Sequence, residues 1–116
     1  FDDYRRSLIS GQREANVPGP TSICDAIVTP MPGELTFPIN KELLSGGFAV
    51  TDAEVEHAMA VAFSDLKIVV EPGGAVALAA VLSGKFDATG KTISVVTSGG
   101  NVDPAAFADI VNRHSV

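Results

Sequence analysis

Sulfur, aromatic rings and basic charge are all scarce in this sequence. Cys24 is its one cysteine, so no internal disulfide can form, and a reducing, cytoplasmic setting is the expectation. Tryptophan is missing and tyrosine occurs once, beside six phenylalanines. Lysine and arginine number 8 against 14 acidic residues, a net charge of −6, and no basic cluster offsets that balance. Nucleic acid and anionic membranes would be repelled, and neither is expected as a partner. No apolar run approaches the roughly 20 residues that span a bilayer, and neither a secretory signal nor a transit peptide is visible. The two histidines, His57 and His114, have no cysteine or carboxylate at metal-ligand spacing and read as surface residues. Cys24 has no activating base nearby and reads as a small buried side chain. A hydrolytic triad finds no support.

What remains is apolar. Hydrophobic residues make up 46% of the 116 positions and charged ones 19%, with mean hydropathy +0.27. That suits one globular domain rather than two or a disordered chain. It is also rich for a free-standing domain of this size, so part of the surface is expected to meet a partner or another part of its own chain. The opening at Phe1, without an initiator methionine, reads as the start of a fragment.

Along the chain, residues 2–10 read as a short helix stopped by Gly11, and residues 12–20 as a loop carrying Pro18, Gly19 and Pro20. Residues 35–44 suggest a helix in which Pro38 forces a kink or a late start. Thr51 and Glu54 form a capping box opening a helix to about Leu66, with Val55, Met59, Ala62, Phe63 and Leu66 on one stripe. Pro72-Gly73-Gly74 reads as a turn into a small-residue helix over 75–82. Asp103 and Pro104 start a last helix to about Arg113. Phe48–Val50, Ile68–Val70 and Thr92–Thr97 read as strands. Strands alternating with helices predict an α/β fold, with a partial open parallel sheet flanked by helices.

Two glycine turns each follow an expected strand: Glu71-Pro72-Gly73-Gly74 and Ser98-Gly99-Gly100-Asn101. Glycines at strand ends let the backbone approach a flat or anionic ligand, or simply make tight turns. Neither turn matches a phosphate-binding Walker loop or a dinucleotide fingerprint.

At these turns the sequence resembles a family. Val70-Glu71-Pro72-Gly73-Gly74-Ala75 and Val96-Thr97-Ser98-Gly99-Gly100-Asn101-Val102-Asp103 are similar to the closing motifs of serine/threonine dehydratases and serine racemases. These are pyridoxal-phosphate (PLP) enzymes of fold type II. Asp2 to Leu8, Thr21 to Ala26, Pro32 to Thr36 and Val50 to Asp52 follow in family order, so the resemblance covers nearly the whole chain.

The resemblance implies that residues 1–116 are the C-terminal portion of a PLP-binding catalytic domain. Ser98 is then the partner of the pyridine nitrogen, with Gly99 beside the ring and Glu71 near it. The backbone of Ala26, where the family often has glycine, lines the cofactor. A divalent cation is also implied, held by the Phe1 carbonyl, Asp3 and a glutamate preceding Phe1. Oxygen ligands of that kind suit Mg²⁺ or Ca²⁺. For Asp3 the alternative is charge complementation at a helix N-terminus. The family's Schiff-base lysine and glycine-rich phosphate loop have no counterpart here: Lys41, Lys67, Lys85 and Lys91 stand in other contexts. No catalytic residue is therefore assigned, and the chain alone is expected to be inactive.

The resemblance further implies an amino-acid substrate and a homo-oligomeric parent, dimer or tetramer. The implied reaction is threonine to 2-oxobutanoate and ammonia, or serine to pyruvate. Serine racemase and 3-hydroxyaspartate dehydratase share the motifs. A non-catalytic module binding an anion at the two glycine turns is the alternative of another class. An end at Val116, soon after the last helix, matches short family members.

Overall fold

Each helix begins where a local signal allows it, and the signals differ from end to end. A computed structural model describes residues 1–114, so the expected ending at Val116 lies outside the described residues. The chain forms two units: residues 1–22 with 27–49, and residues 23–26 with 50–116.

In the first unit, α1 (Asp3–Ser10) is closed by Gly11 at φ +74, the left-handed conformation that glycine adopts without penalty. Helix α2 (Thr36–Leu43) starts late enough that Pro38 falls in its first turn, where a missing N–H costs nothing. No kink results. The two helices meet through Tyr4, whose ring packs edge-on against Phe37 at 6.0 Å and whose hydroxyl accepts from Asn40 Nδ2 at 2.7 Å. The loop between them is tied by polar bonds. Asn16 donates to Asp3 Oδ1 and to the Thr29 carbonyl, both at 2.8 Å, and Arg13 donates to the Pro32 carbonyl at 2.8 Å.

In the second unit, α3 (Asp52–Ser64) packs against both α4 (Pro72–Leu82) and α5 (Pro104–Arg113). The capping box at α3 is present in both directions: Thr51 Oγ1 accepts the Glu54 N–H, and Glu54 accepts the Thr51 N–H at 2.6 Å. Lys85 completes the cluster at 2.6 Å, and together these bonds hold the Glu54 carboxyl below the usual glutamate range. Helix α5 is opened by Asp103, which accepts the Ala106 N–H at 2.9 Å, with Pro104 as its first residue.

Cys24, Val55, Ala58, Met59, Ala62, Val70, Ala75, Ala79 and Ile110 make one core, flanked by Ile23, Val50, Val76, Leu78, Val102 and Phe107. The small side chains on α3 and α4 let the two helices approach closely. The expected α3 stripe holds for Val55, Met59 and Ala62. Phe63 stays partly exposed, edge-on to Phe107 at 5.4 Å, and Leu66 lies past the helix end. No helix of the described residues is long and apolar enough to cross a membrane.

Two sequence expectations need correction. Helix α4 begins at Pro72, not Ala75: the fixed φ of proline suits the first helical position, so Pro72-Gly73-Gly74 is the opening of the helix. The expected parallel sheet is also not formed, and none of the described residues is in a strand. A strand exists through its ladder, and the segments around 68–71 and 96–100 share one tie, from the Glu71 N–H to the Gly99 carbonyl at 2.9 Å. With no further neighbour beside them they remain irregular, and Val96 is 73% exposed.

Candidate functional site

The two glycine turns lie against one another. Besides the Glu71–Gly99 bond, three glycines mark where backbone meets backbone or side chain. A Cβ on Gly74 would stand 2.9 Å from the Gly99 carbonyl oxygen and 3.0 Å from its nitrogen. One on Gly100 would stand 2.9 Å from the Val69 carbonyl oxygen, and one on Gly99 would collide with the Glu71 carboxylate. At Gly74 and Gly100 the opposing atoms are backbone and cannot give way, so glycine is required by the approach of one turn to the other; at Gly99 the Glu71 side chain could swing aside. That adds a structural reason for these glycines to the ligand-based one.

The second turn is fixed on its far side too. The Val102 N–H donates to the Gly100 carbonyl at 3.0 Å, Val102 packs on the core, and Asp103 caps α5. Ser98 stands just before these anchors; it is exposed, and no group among the described residues bonds its hydroxyl. The hydroxyl is thus presented at the start of a turn that is tied from Gly99 onward, with the Glu71 carboxylate folded onto Gly99.

Ala26 sits in a short 3₁₀ turn (Asp25–Ile27) and is exposed. It is linked to the turns through the core, since Cys24 clusters with Val70, the residue before Glu71. The Ile23 N–H is held by Asp52 Oδ2 at 3.2 Å. Sequence reasoning missed Asp52 as an anchor; only its place in the Val50-Thr51-Asp52 run was visible.

The structure brings Glu71, Ser98 and Gly99 together and puts Ala26 in the same unit. Ser98 offers a hydroxyl that no described group bonds, the kind of donor a pyridine nitrogen would accept from. The chain's lysines are engaged elsewhere. Lys67 donates to the Ser64 carbonyl at 2.6 Å, Lys85 to Glu54, and Lys91 to the Asp87 carbonyl at 2.7 Å while lying over the Phe86 ring. Lys41 reaches the Gly11 carbonyl at 3.5 Å.

The implied cation positions fare differently. Asp3 is 5% exposed, sits in the first turn of α1 and already accepts from Asn16, while Phe1 is half exposed. No group of three or more His, Cys, Asp or Glu that would hold a metal exists among the described residues. These residues do not by themselves hold such an ion. Of the histidines, His57 is exposed, while His114 Nε2 pairs with Glu56 Oε2 at 3.1 Å beside Arg113, which bonds Glu56 Oε1 at 2.8 Å.

Comparison with known proteins bears on this arrangement. The family described as pyridoxal-phosphate dependent enzyme matches residues 2–99. Serine racemase of Dictyostelium discoideum is 40% identical over 114 residues, covering 96% of this chain and 35% of that protein. L-threonine ammonia-lyase of Thermotoga maritima is 37% identical over 107 residues, covering 92% of this chain and 26% of the relative. The solved structure of maize serine racemase superposes with a TM-score of 0.80 at 31% identity, over 97% of this chain and 35% of that one. The chain thus spans about a third or less of the length of the proteins it matches. It belongs to the pyridoxal-phosphate dependent enzymes, the fold-type II group whose members include threonine dehydratases and serine racemases.

Proposed function

We propose that this chain forms the pyridine-nitrogen side of the cofactor site in a PLP-dependent ammonia-lyase acting on threonine or serine. The observation that carries the reading is the free Ser98 hydroxyl, presented by a turn that Glu71, Gly74 and Asp103 hold in place. The Schiff-base lysine and the phosphate-binding loop come from the remainder of a longer chain. Segments of that remainder pair with residues 68–70 and 92–97 to complete a parallel sheet. On this reading the chain is inactive alone, and the parent is a homo-oligomer that functions in the cytoplasm.

Bound PLP supplies an electron sink for the bond broken at the substrate's α-carbon. Ser98 sets how deep that sink is. Its hydroxyl is far too weak an acid to become an anion, so it hydrogen-bonds the ring nitrogen without stabilising a positive charge there. A carboxylate in its place would hold a proton on that nitrogen. The neutral partner suits loss of a β-hydroxyl group, because the leaving group takes up charge as it departs. Glu71, whose carboxylate lies against Gly99, and the Ala26 backbone would line the ring.

The test is a substrate panel on the complete enzyme, comparing the native form with Ser98→Asp. Ammonia release from threonine or serine is expected to fall at least tenfold in the variant. An equal or faster rate would refute the role given to Ser98. A second reading, serine racemase, is favoured by the 40% identity to the Dictyostelium protein, and 3-hydroxyaspartate is a further candidate substrate. Chiral analysis separates the readings: D-serine as the main product from L-serine identifies the racemase, pyruvate the lyase.

A further inference from the structure

Residues 23–26 pack with the second unit, while the chain on both sides of them is assigned to the first. Four residues bury too little on their own to offset the entropy of being held, so the excursion needs anchors. Ile23 and Cys24 provide an apolar one by joining the core. A polar one is the bond from the Ile23 N–H to Asp52 Oδ2, spanning 29 positions of sequence.

Asp52 suits this task. It is the first residue of α3, but the helix is capped by its neighbours, Thr51 and Glu54, so its carboxylate is not needed as the cap. The helix dipole favours a negative charge there, and an ionised acceptor makes a stronger bond than a neutral one. Three residues beyond Ile23 stands Ala26, in the 3₁₀ turn.

We propose that Asp52 is a positioning residue: through the Ile23 N–H its carboxylate holds residues 23–26 on the second unit and so fixes the Ala26 backbone as a wall of the cofactor site. This rests on the reading of Ala26 given under the proposed function. It adds a residue that touches neither substrate nor cofactor and acts through four residues of backbone.

The test uses the complete enzyme, stripped of cofactor and titrated with PLP. Three quantities are read: the PLP dissociation constant, the emission band of the bound cofactor and the urea midpoint. Losing one charge-assisted bond corresponds to about a tenfold change in an equilibrium constant. Asp52→Ala is therefore expected to raise the PLP Kd about tenfold and shift the emission band. Asp52→Asn, which keeps an acceptor oxygen, is expected to restore the Kd to within about threefold of native. Thr51→Ala weakens the same helix end without touching Ile23. It is expected to lower the urea midpoint while leaving the Kd within about twofold.

An unchanged Kd and emission band in Asp52→Ala, or a Thr51→Ala variant that loses PLP equally, overturns the proposal. Should Asp52→Ala not fold, Asp52→Glu keeps the helix-end charge but displaces the oxygen. It is expected to raise the Kd several-fold at a native urea midpoint, and an unchanged Kd there also overturns the role. Ala26→Val separates this from the underlying reading. If it binds PLP normally, the Ala26 wall is wrong and the proposal falls with it; if it alone loses PLP, only Asp52 is wrong.

Discussion

Replacing Gly74 by alanine sets two physical effects against each other. Gly74 lies within α4, where exchange of glycine for alanine ordinarily gains about 0.8–1 kcal/mol in helix propensity. At this position, however, the new methyl would sit 2.9 Å from the Gly99 carbonyl oxygen and 3.1 Å from Val70 Cγ1. The oxygen belongs to the backbone and accepts the Glu71 N–H, so it cannot swing aside as a flexible side chain would. Overpacking of this kind costs about 1–3 kcal/mol, and straining the Glu71–Gly99 bond costs up to about 1 kcal/mol more. At mid-range the steric effect wins by about 1.5 kcal/mol, within a span of about 0–3 kcal/mol. The assay is urea unfolding of the complete enzyme, with Gly46→Ala as the reference because nothing lies within 4 Å of that position. Gly46→Ala is expected to be neutral within about 0.5 kcal/mol. A Gly74→Ala midpoint at or above native would refute the backbone approach of the two turns.

Two further outcomes follow from the second unit. Met59 is 0% exposed at the centre of the core, so Met59→Ala should cost about 2–5 kcal/mol in the same urea experiment; a loss below about 1 kcal/mol would place the core elsewhere. For Glu54, the Lys85 ammonium and the Thr51 N–H lower the carboxyl below the ordinary 4.5 of glutamate. Its contribution is then fully present above pH 4.5 and lost as pH falls through the lower folded value. Glu54→Gln should flatten the fall of stability below pH 4.5, and an unchanged slope would show that the pairing with Lys85 does not persist in solution.

Local signals were legible in the sequence and distant ones were not. Thr51 with Glu54, Asp103 with Pro104, and Gly11 act within one turn of chain, and each did in the structure what its chemistry dictates. Cys24, read as a small buried side chain, is 6% exposed. Pro72 was misjudged because proline followed by two glycines signals a turn as readily as a first helical position. The strands were overread: β-branched composition marks Thr92–Thr97 as fit for a sheet, but pairing depends on neighbours that composition does not supply. For the candidate site, the motifs pointed to Glu71, Ser98 and Gly99, and the Glu71 N–H does bond the Gly99 carbonyl. They said nothing of the Asp52–Ile23 bond, nor of His114 reaching Glu56 across 58 positions, since long-range partners leave no local pattern.

The tie between the two turns runs from main chain to main chain, and that decides how this region can vary over evolution. A backbone N–H is offered by every residue type except proline, so the side chain at position 71 can be exchanged without untying Gly99. The scaffold and the chemistry at this position are thereby separable. The side chain at position 71 can change while the serine turn keeps the same seating, whereas Gly74 and Gly100, where the backbones themselves touch, have no such freedom.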